Sequence, residues 1–319
     1  NDAWSAISEG ILSNSRLQCL RITTTLDGLG MHTFSRGLRS SNSALSILDF
    51  SYSTFESDDS VEALTFGLRQ NTTLKEIHFM GCSLRDHHAA ILVGGLQNHS
   101  TLQCLDLNGN KCGPASSFAL SEMLSAHSHL QKLDLSFQTS DERLNVRLLV
   151  DSLRRNTTLN MLDLSNCRLD DEDAILLGRL LRDCPKLSEL FIARNKITDL
   201  GISGLAGMLP EIKSLRRLSL WGNNFDEQGA LALANGMREN CGIEELDLFR
   251  NFFCSDMILL YTNLNRAGRR LLNSDDRVPL GLWPLVLSRI NDLTFQRTST
   301  SASDLMFHMI RGPVLFEAR

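Results

Sequence analysis

One spacing constrains this chain more than any other property. The pattern L-x-x-L-x-L, with Ile or Phe at some of its apolar sites, starts at Leu17, Leu45, Leu74, Leu102, Leu130, Leu159, Leu187, Leu215 and Ile243. Successive starts lie 28 or 29 residues apart throughout. A fixed period of that length predicts stacked units, each too small to bury its own apolar face without neighbours. The end of the pattern alternates apolar and other residues, as a half-buried strand does. Later in each period apolar residues recur at helical spacing, as in Ala174, Leu177, Leu180 and Leu181, or Leu231, Ala234 and Met237. Each unit is therefore one strand and one helix, and all strands run parallel. Strands stack about 4.8 Å apart while helices with side chains are about 10 Å wide. The stack must bend towards its strands. The expected fold is an α/β horseshoe solenoid with a nine-stranded parallel sheet on the concave face and helices on the convex face.

Three residues beyond each strand pattern stands a polar or thiol residue: Thr25, Ser53, Cys82, Asn110, Gln138, Cys167, Asn195, Asn223 and Asn251. Amides donate and accept, so this column predicts an internal ladder satisfying the backbone of stacked turns. Acidic pairs such as Asp58-Asp59, Asp170-Asp171 and Asp226-Glu227 suit the starts of helices. Three N-x-S/T sequons, at Asn71, Asn98 and Asn156, read as one polar turn before the strand leucine. Residues 1–16 read as the helix of a preceding repeat, with Trp4, Ile7, Ile11 and Leu12 on one face. The chain does not begin with Met, so an upstream region is expected. The solenoid is expected over 1–272, with 273–319 as a helical C-terminal cap carrying Trp283, Ile290 and Met306.

The net charge of −5 and pI near 5.9 argue against non-specific nucleic-acid binding. No apolar stretch reaches the roughly 18 residues that a membrane helix needs. Eight cysteines occur without any C-x-x-C pair, which fits free thiols of a reducing compartment, and a cytoplasmic location is expected. No nucleotide-binding glycine loop, nucleophile elbow or H-E-x-x-H motif occurs. Neither a cofactor nor a metal site is expected. The histidine clusters His87-His88 and His127-x-His129 lack ligand spacing and read as exposed helix residues. Gly94-Gly95 reads as a close-packing feature of a helix.

Segments such as LQCLDLNGNKCGPASSFALSEMLSAHSHL and LRRLSLWGNNFDEQGALALANGMRENCGI resemble the ribonuclease-inhibitor-like class of leucine-rich repeats. The resemblance covers about residues 1–272. That class is shared by ribonuclease inhibitor, the sensor arms of NOD-like receptors and the Ran GTPase-activating proteins. It implies a protein-binding horseshoe and names no partner. Activation of a small GTPase is the alternative it carries. The end of this chain is hydrophobic and contains Arg, where the Ran activators typically have an acidic tail.

Side chains facing the concave side follow from the strand alternation. The position between the last two apolar residues reads Arg21, Asp49, His78, Asp106, Asp134, Asp163, Phe191, Ser219, Asp247. Asp106, Asp134 and Asp163 fall in consecutive repeats, and their mutual repulsion is expected to raise some of their pKa values. The C-terminal third collects Phe191, Arg194, Arg217, Trp221, Phe249 and Arg250. Exposed Trp, Phe and Arg together have the composition of an interface hot spot. These nine residues form the candidate site for an unknown protein partner, oriented by one acidic and one basic end. A non-catalytic interaction module is expected, with no small-molecule substrate, nucleic acid or membrane as partner. The cysteine reading is checked by non-reducing mass spectrometry: eight alkylatable thiols are expected after denaturation, and a smaller count contradicts it.

Overall fold

The structure is a computed structural model that describes residues 2–39, 44–126, 129–184, 186–251 and 256–266. Its strands are β1 (Cys19–Arg21), β2 (Thr25–Leu26), β3 (Ile47–Asp49), β4 (Thr54–Phe55), β5 (Glu76–His78), β6 (Cys104–Asp106), β7 (Lys132–Asp134), β8 (Met161–Asp163), β9 (Glu189–Phe191), β10 (Arg217–Ser219) and β11 (Glu245–Asp247). Its helices are α1 (Asp2–Ser13), α2 (Gly28–Leu38), α3 (Asp58–Gln70), α4 (Asp86–Leu96), α5 (Pro114–Ala126), α6 (Val146–Leu153), α7 (Asp171–Asp183), α8 (Asp199–Ala206), α9 (Glu227–Glu239) and α10 (Asp256–Arg266). The expected α/β solenoid is what forms. Nine strands make one sheet in the order β1-β3-β5-β6-β7-β8-β9-β10-β11, and every neighbouring pair is parallel. The pairing keeps the repeat register: Leu20, Leu48, Ile77, Leu105, Leu133, Leu162, Leu190, Leu218 and Leu246 line up across the sheet. A second, two-stranded parallel pair of β2 and β4 was not anticipated.

The core is one continuous column between sheet and helices. Leu105, Leu133 and Leu190 are fully buried, as are Leu107, Leu135, Leu164 and Ile192 one step along. Each such side chain contributes roughly 1.5–3 kcal/mol of burial. At the N-terminal end Phe50 and Phe79 occupy the Leu107 position and stack with centroids 5.8 Å apart. Trp4 closes the series by packing edge-on against Phe34.

The expected internal ladder is present and runs from repeat to repeat. Ser53 Oγ donates to the Ile22 carbonyl at 2.7 Å, and Cys82 Sγ to that of Phe50 at 3.1 Å. Asn110 Nδ2 reaches Phe79 O at 2.8 Å, and Gln138 Nε2 reaches Leu107 O at 2.9 Å. Cys167, Asn195, Asn223 and Asn251 bond the carbonyls of Leu135, Leu164, Ile192 and Leu220 in the same way. The asparagines do more than the thiols. Asn195 Oδ1 also accepts from the N–H groups of Cys167 and Leu169. A parallel ladder runs where the helices end: Asn71, Asn156 and Asn240 donate to the carbonyls of Leu38, Leu124 and Leu209.

Several expectations need correction. Asn98 is not equivalent to Asn71 and Asn156. It is exposed, and the buried His99 takes the shared position three residues before the strand leucine. Leu12, expected to share one face with Trp4, Ile7 and Ile11, and Leu231, which fits the helical spacing, are 48% and 61% exposed, because their helices turn those positions outward. His88 is buried rather than exposed. Of the glycine pair, only Gly95 is a close approach: a Cβ there would overlap Thr65 Cγ2, whereas Gly94 faces open space. The acidic helix starts act across repeats as well as on the helix dipole. Asp86 accepts from the N–H groups of Gly113, Ala115 and Ser116, and Asp199 from those of Asp226 and Gly229. The expected cap at 273–319 lies outside the described residues. All seven described cysteines are free.

Removing a ladder amide strands buried backbone groups, each costing about 1–3 kcal/mol. Asn195→Ala should therefore lower the urea-derived unfolding free energy by at least about 2 kcal/mol. The exposed Asn98→Ala should fall within about 0.5 kcal/mol of the parent. Equal effects of the two would contradict the ladder's role.

Candidate functional site

The concave surface is built from two columns. One is the outward strand position, which the register places in a row from Arg21 through Asp49, His78, Asp106, Asp134, Asp163, Phe191 and Ser219 to Asp247. The other lies three residues later, at the start of the turn that leaves each strand. Tyr52, Gly81, Gly109, Phe137, Asn166, Arg194, Gly222 and Arg250 all have positive φ there, between 53° and 68°. The left-handed conformation normally favours glycine. Here five of the eight are larger side chains, held in that conformation by the backbone bonds of the stack, such as Arg194 N to Trp221 O at 2.6 Å.

The acidic row is brought together as expected, with Asp106, Asp134 and Asp163 directly paired across β6, β7 and β8. Each carboxylate has a local task. Its Oδ1 accepts the N–H two residues on, at 2.9 Å from Asn108 and 2.8 Å from both Ser136 and Ser165. Asp49 and Asp247 make the same bond to Ser51 and Phe249. The aspartate of Leu-Asp-Leu thus ends each strand and starts the turn. The second oxygen is engaged in three of these aspartates: that of Asp106 lies 3.3 Å from His78 Nδ1, that of Asp49 pairs with Arg21 Nε, and that of Asp247 accepts from Ser219 Oγ. The carboxyl of Asp134 is pushed up to about 6, and that of Asp163 is also raised. Burial is the largest cause for both, and the expected repulsion from neighbouring aspartates adds to it.

The aromatic and arginine group also assembles, as a stacked lattice. Arg194 lays its guanidinium over the Trp221 ring at 4.0 Å, and Arg250 approaches the same ring from the next repeat at 5.7 Å. Arg250 also lies 5.9 Å from Phe249. Trp221 is therefore half-buried under two cations, whereas Phe249 stands 69% exposed. Arg217 lies 5.9 Å from the Phe191 ring, but it is tied to Glu245 at 2.8 Å and Glu189 at 3.3 Å. Its charge is thereby largely answered within the sheet. Among the described residues Arg194 and Arg250 form no ion pair with a carboxylate. Sequence reasoning omitted Phe137, which lies 5.9 Å from Arg194 and extends the lattice two repeats towards the acidic row. The signal was present, since Phe137 occupies the same repeat position as Arg194 and Arg250.

Comparison with known proteins agrees with this architecture. A family described as Leucine Rich repeat matches residues 155–178 and 183–206. Protein NLRC5 of Homo sapiens is 30% identical over 49% of this chain, which covers 8% of that protein. Ribonuclease inhibitor of Mus musculus is 29% identical over 64% of the chain, covering 52% of its own length. NACHT, LRR and PYD domains-containing protein 7 of Homo sapiens is 31% identical over 55% of the chain and 18% of itself. The chain thus spans about half of the inhibitor and a small part of the other two proteins. It is similar to leucine-rich-repeat proteins of the ribonuclease-inhibitor-like class. Among the described residues no helix is long and apolar enough to cross a membrane.

The raised carboxyl of Asp134 has a measurable consequence. The folded chain binds that proton more tightly than the unfolded chain, so stability is lost as pH rises from about 4 through about 6. Asp134→Asn keeps an acceptor and removes the charge. Its melting temperature should gain on the parent's across that window and hold the gain above it. Melts in which the gap stays constant or narrows with rising pH would refute the assignment.

Proposed function

We propose that this chain is a non-catalytic protein-recognition arm, serving as an adaptor or as the sensor arm of a larger cytoplasmic receptor. Its partner seats on the concave face over Phe191, Trp221 and Phe249. The observation that carries the reading is the pair of guanidinium groups stacked on Trp221. Such stacking holds the ring in one orientation before any partner arrives, which removes part of the ordering cost of association. Arg194 and Arg250 then offer directional donors to carboxylates. Asp106, Asp134 and Asp163 offer acceptors to a basic segment further along the arc. A partner presenting an apolar patch flanked by an acidic and a basic surface fits this arrangement. The relatives support the class: ribonuclease inhibitor, by its name, acts on another protein, and NACHT, LRR and PYD domains-containing protein 7, by its name, contains leucine-rich repeats.

Trp221→Ala should weaken binding of the native partner by about 2 kcal/mol or more, chiefly through faster dissociation. The matched control is Leu231→Ser on α9, at a side chain 61% exposed on the helical face. The protein that co-purifies with the parent chain from native cells should be lost with Trp221→Ala and retained with Leu231→Ser, both variants showing the parent's circular dichroism. Retention with Trp221→Ala combined with Phe249→Ala would move the site off this face.

A further inference from the structure

The concave face carries a second cluster, which shares only Asp106 with the partner reading. Parallel pairing of β5 with β6 sets Glu76 opposite Cys104 and His78 opposite Asp106. Residues two apart on a strand share a face, so the four side chains form a square on the inner surface. One donor atom each from Glu76, His78 and Cys104 lies within 4.8 Å of the other two. The His78 ring lies between two carboxylates. Nε2 is 3.5 Å from Glu76 Oε2, and Nδ1 is 3.3 Å from Asp106 Oδ2.

We propose that Glu76, His78 and Cys104 form a zinc site open to the concave surface, with Asp106 as the positioning residue for His78. The donor set is one carboxylate oxygen, one imidazole nitrogen and one sulfur. Three protein ligands and one exchangeable position suit tetrahedral zinc, and a thiolate disfavours magnesium and calcium. A histidine that ligates a metal typically donates its other N–H to a carboxylate, which fixes tautomer and ring angle. Asp106 stands where that acceptor is required. Side-chain exposures of 24% for His78 and 44% for Glu76 leave an entry path.

The Cys104 thiol is pushed up to about 11 by burial and by the carboxylates of Glu76, Asp106 and Asp134, which the ammonium of Lys132 on β7 only partly offsets. His78 is raised chiefly by its bond to Asp106, with further contributions from Asp49 on β3 and Glu76. Binding replaces the Cys104 S–H proton, which leaves to solvent, with an S–Zn bond, and zinc sheds water ligands. Affinity should accordingly rise with pH.

The test uses the full chain under reducing conditions, with zinc followed by calorimetry and cobalt(II) followed by absorption. One equivalent should bind, with a sulfur-to-cobalt charge-transfer band in the near ultraviolet and the d–d intensity of a tetrahedral ion. Cys104→Ser should abolish the charge-transfer band, and Cys19→Ser, at an exposed thiol, should leave it. Asp106→Asn should keep the band and weaken zinc about 10- to 100-fold. Should Cys104→Ser unfold, His78→Gln decides, since it must reduce affinity and change the d–d spectrum. The proposal is overturned if the parent binds no zinc, or if the band survives Cys104→Ser. Binding without a sulfur band that is lost on His87→Gln would also overturn it, placing the metal at Asp58, His87 and His88 instead.

Discussion

The repeat-to-repeat hydrogen bond from the buried turn residue is the interaction on which the rest of this structure depends. A solenoid with three-residue strands depends on the turns that leave them, and the ladder position of those turns is buried in nearly every repeat. Ser53, Cys82, Asn110, Gln138, Cys167, Asn195, Asn223 and Asn251 each answer a carbonyl of the preceding unit. With that bond in place the turn geometry is copied from one unit to the next. The left-handed residue that precedes the ladder residue in each turn is copied with it. Large side chains such as Arg194 and Arg250 can then occupy a conformation that an isolated chain would reserve for glycine.

The same copying makes the concave face readable as columns. Within a column, neighbouring side chains are held at strand spacing whatever their chemistry, so character changes along the arc while geometry does not. The face moves from mixed charge at Arg21 and Asp49, through the half-buried aspartates, to Trp221 beneath two guanidinium groups and the exposed Phe249. The aspartates serve turn and row at once: one oxygen ends the strand, and at Asp49, Asp106 and Asp247 the other bonds a neighbour across the sheet. The arginines divide similarly. Arg217 is held by Glu189 and Glu245, whereas Arg194 and Arg250 spend their faces on Trp221.

Much of this was legible from periodicity. Strand number, parallel direction, the ladder column and the identity of each outward residue follow from a 28- or 29-residue period that assigns one structural role to each offset. What escaped depended on phase or on contacts across the period. Asn98 fits a sequon but lies one residue out of step with Asn71, so His99 takes the buried position. Leu12 and Leu231 match helical spacing, yet their exposure is set by how each helix is rotated on the stack. The cause of the Asp134 shift lay in depth of burial, which spacing does not reveal. The Glu76, His78 and Cys104 cluster was invisible to motif searches because its members come together across strands, 28 residues apart, and not within one short segment.

The central claim is that recognition occurs on the sheet side and not on the helices. Site-specific photocrosslinking tests it most directly. A photoreactive amino acid is placed in living cells at Phe249 or at Leu231, which are similarly exposed at 69% and 61% but lie on opposite faces. The account predicts a discrete crosslinked protein from position 249 and none from position 231. Crosslinking from 231 alone would contradict it.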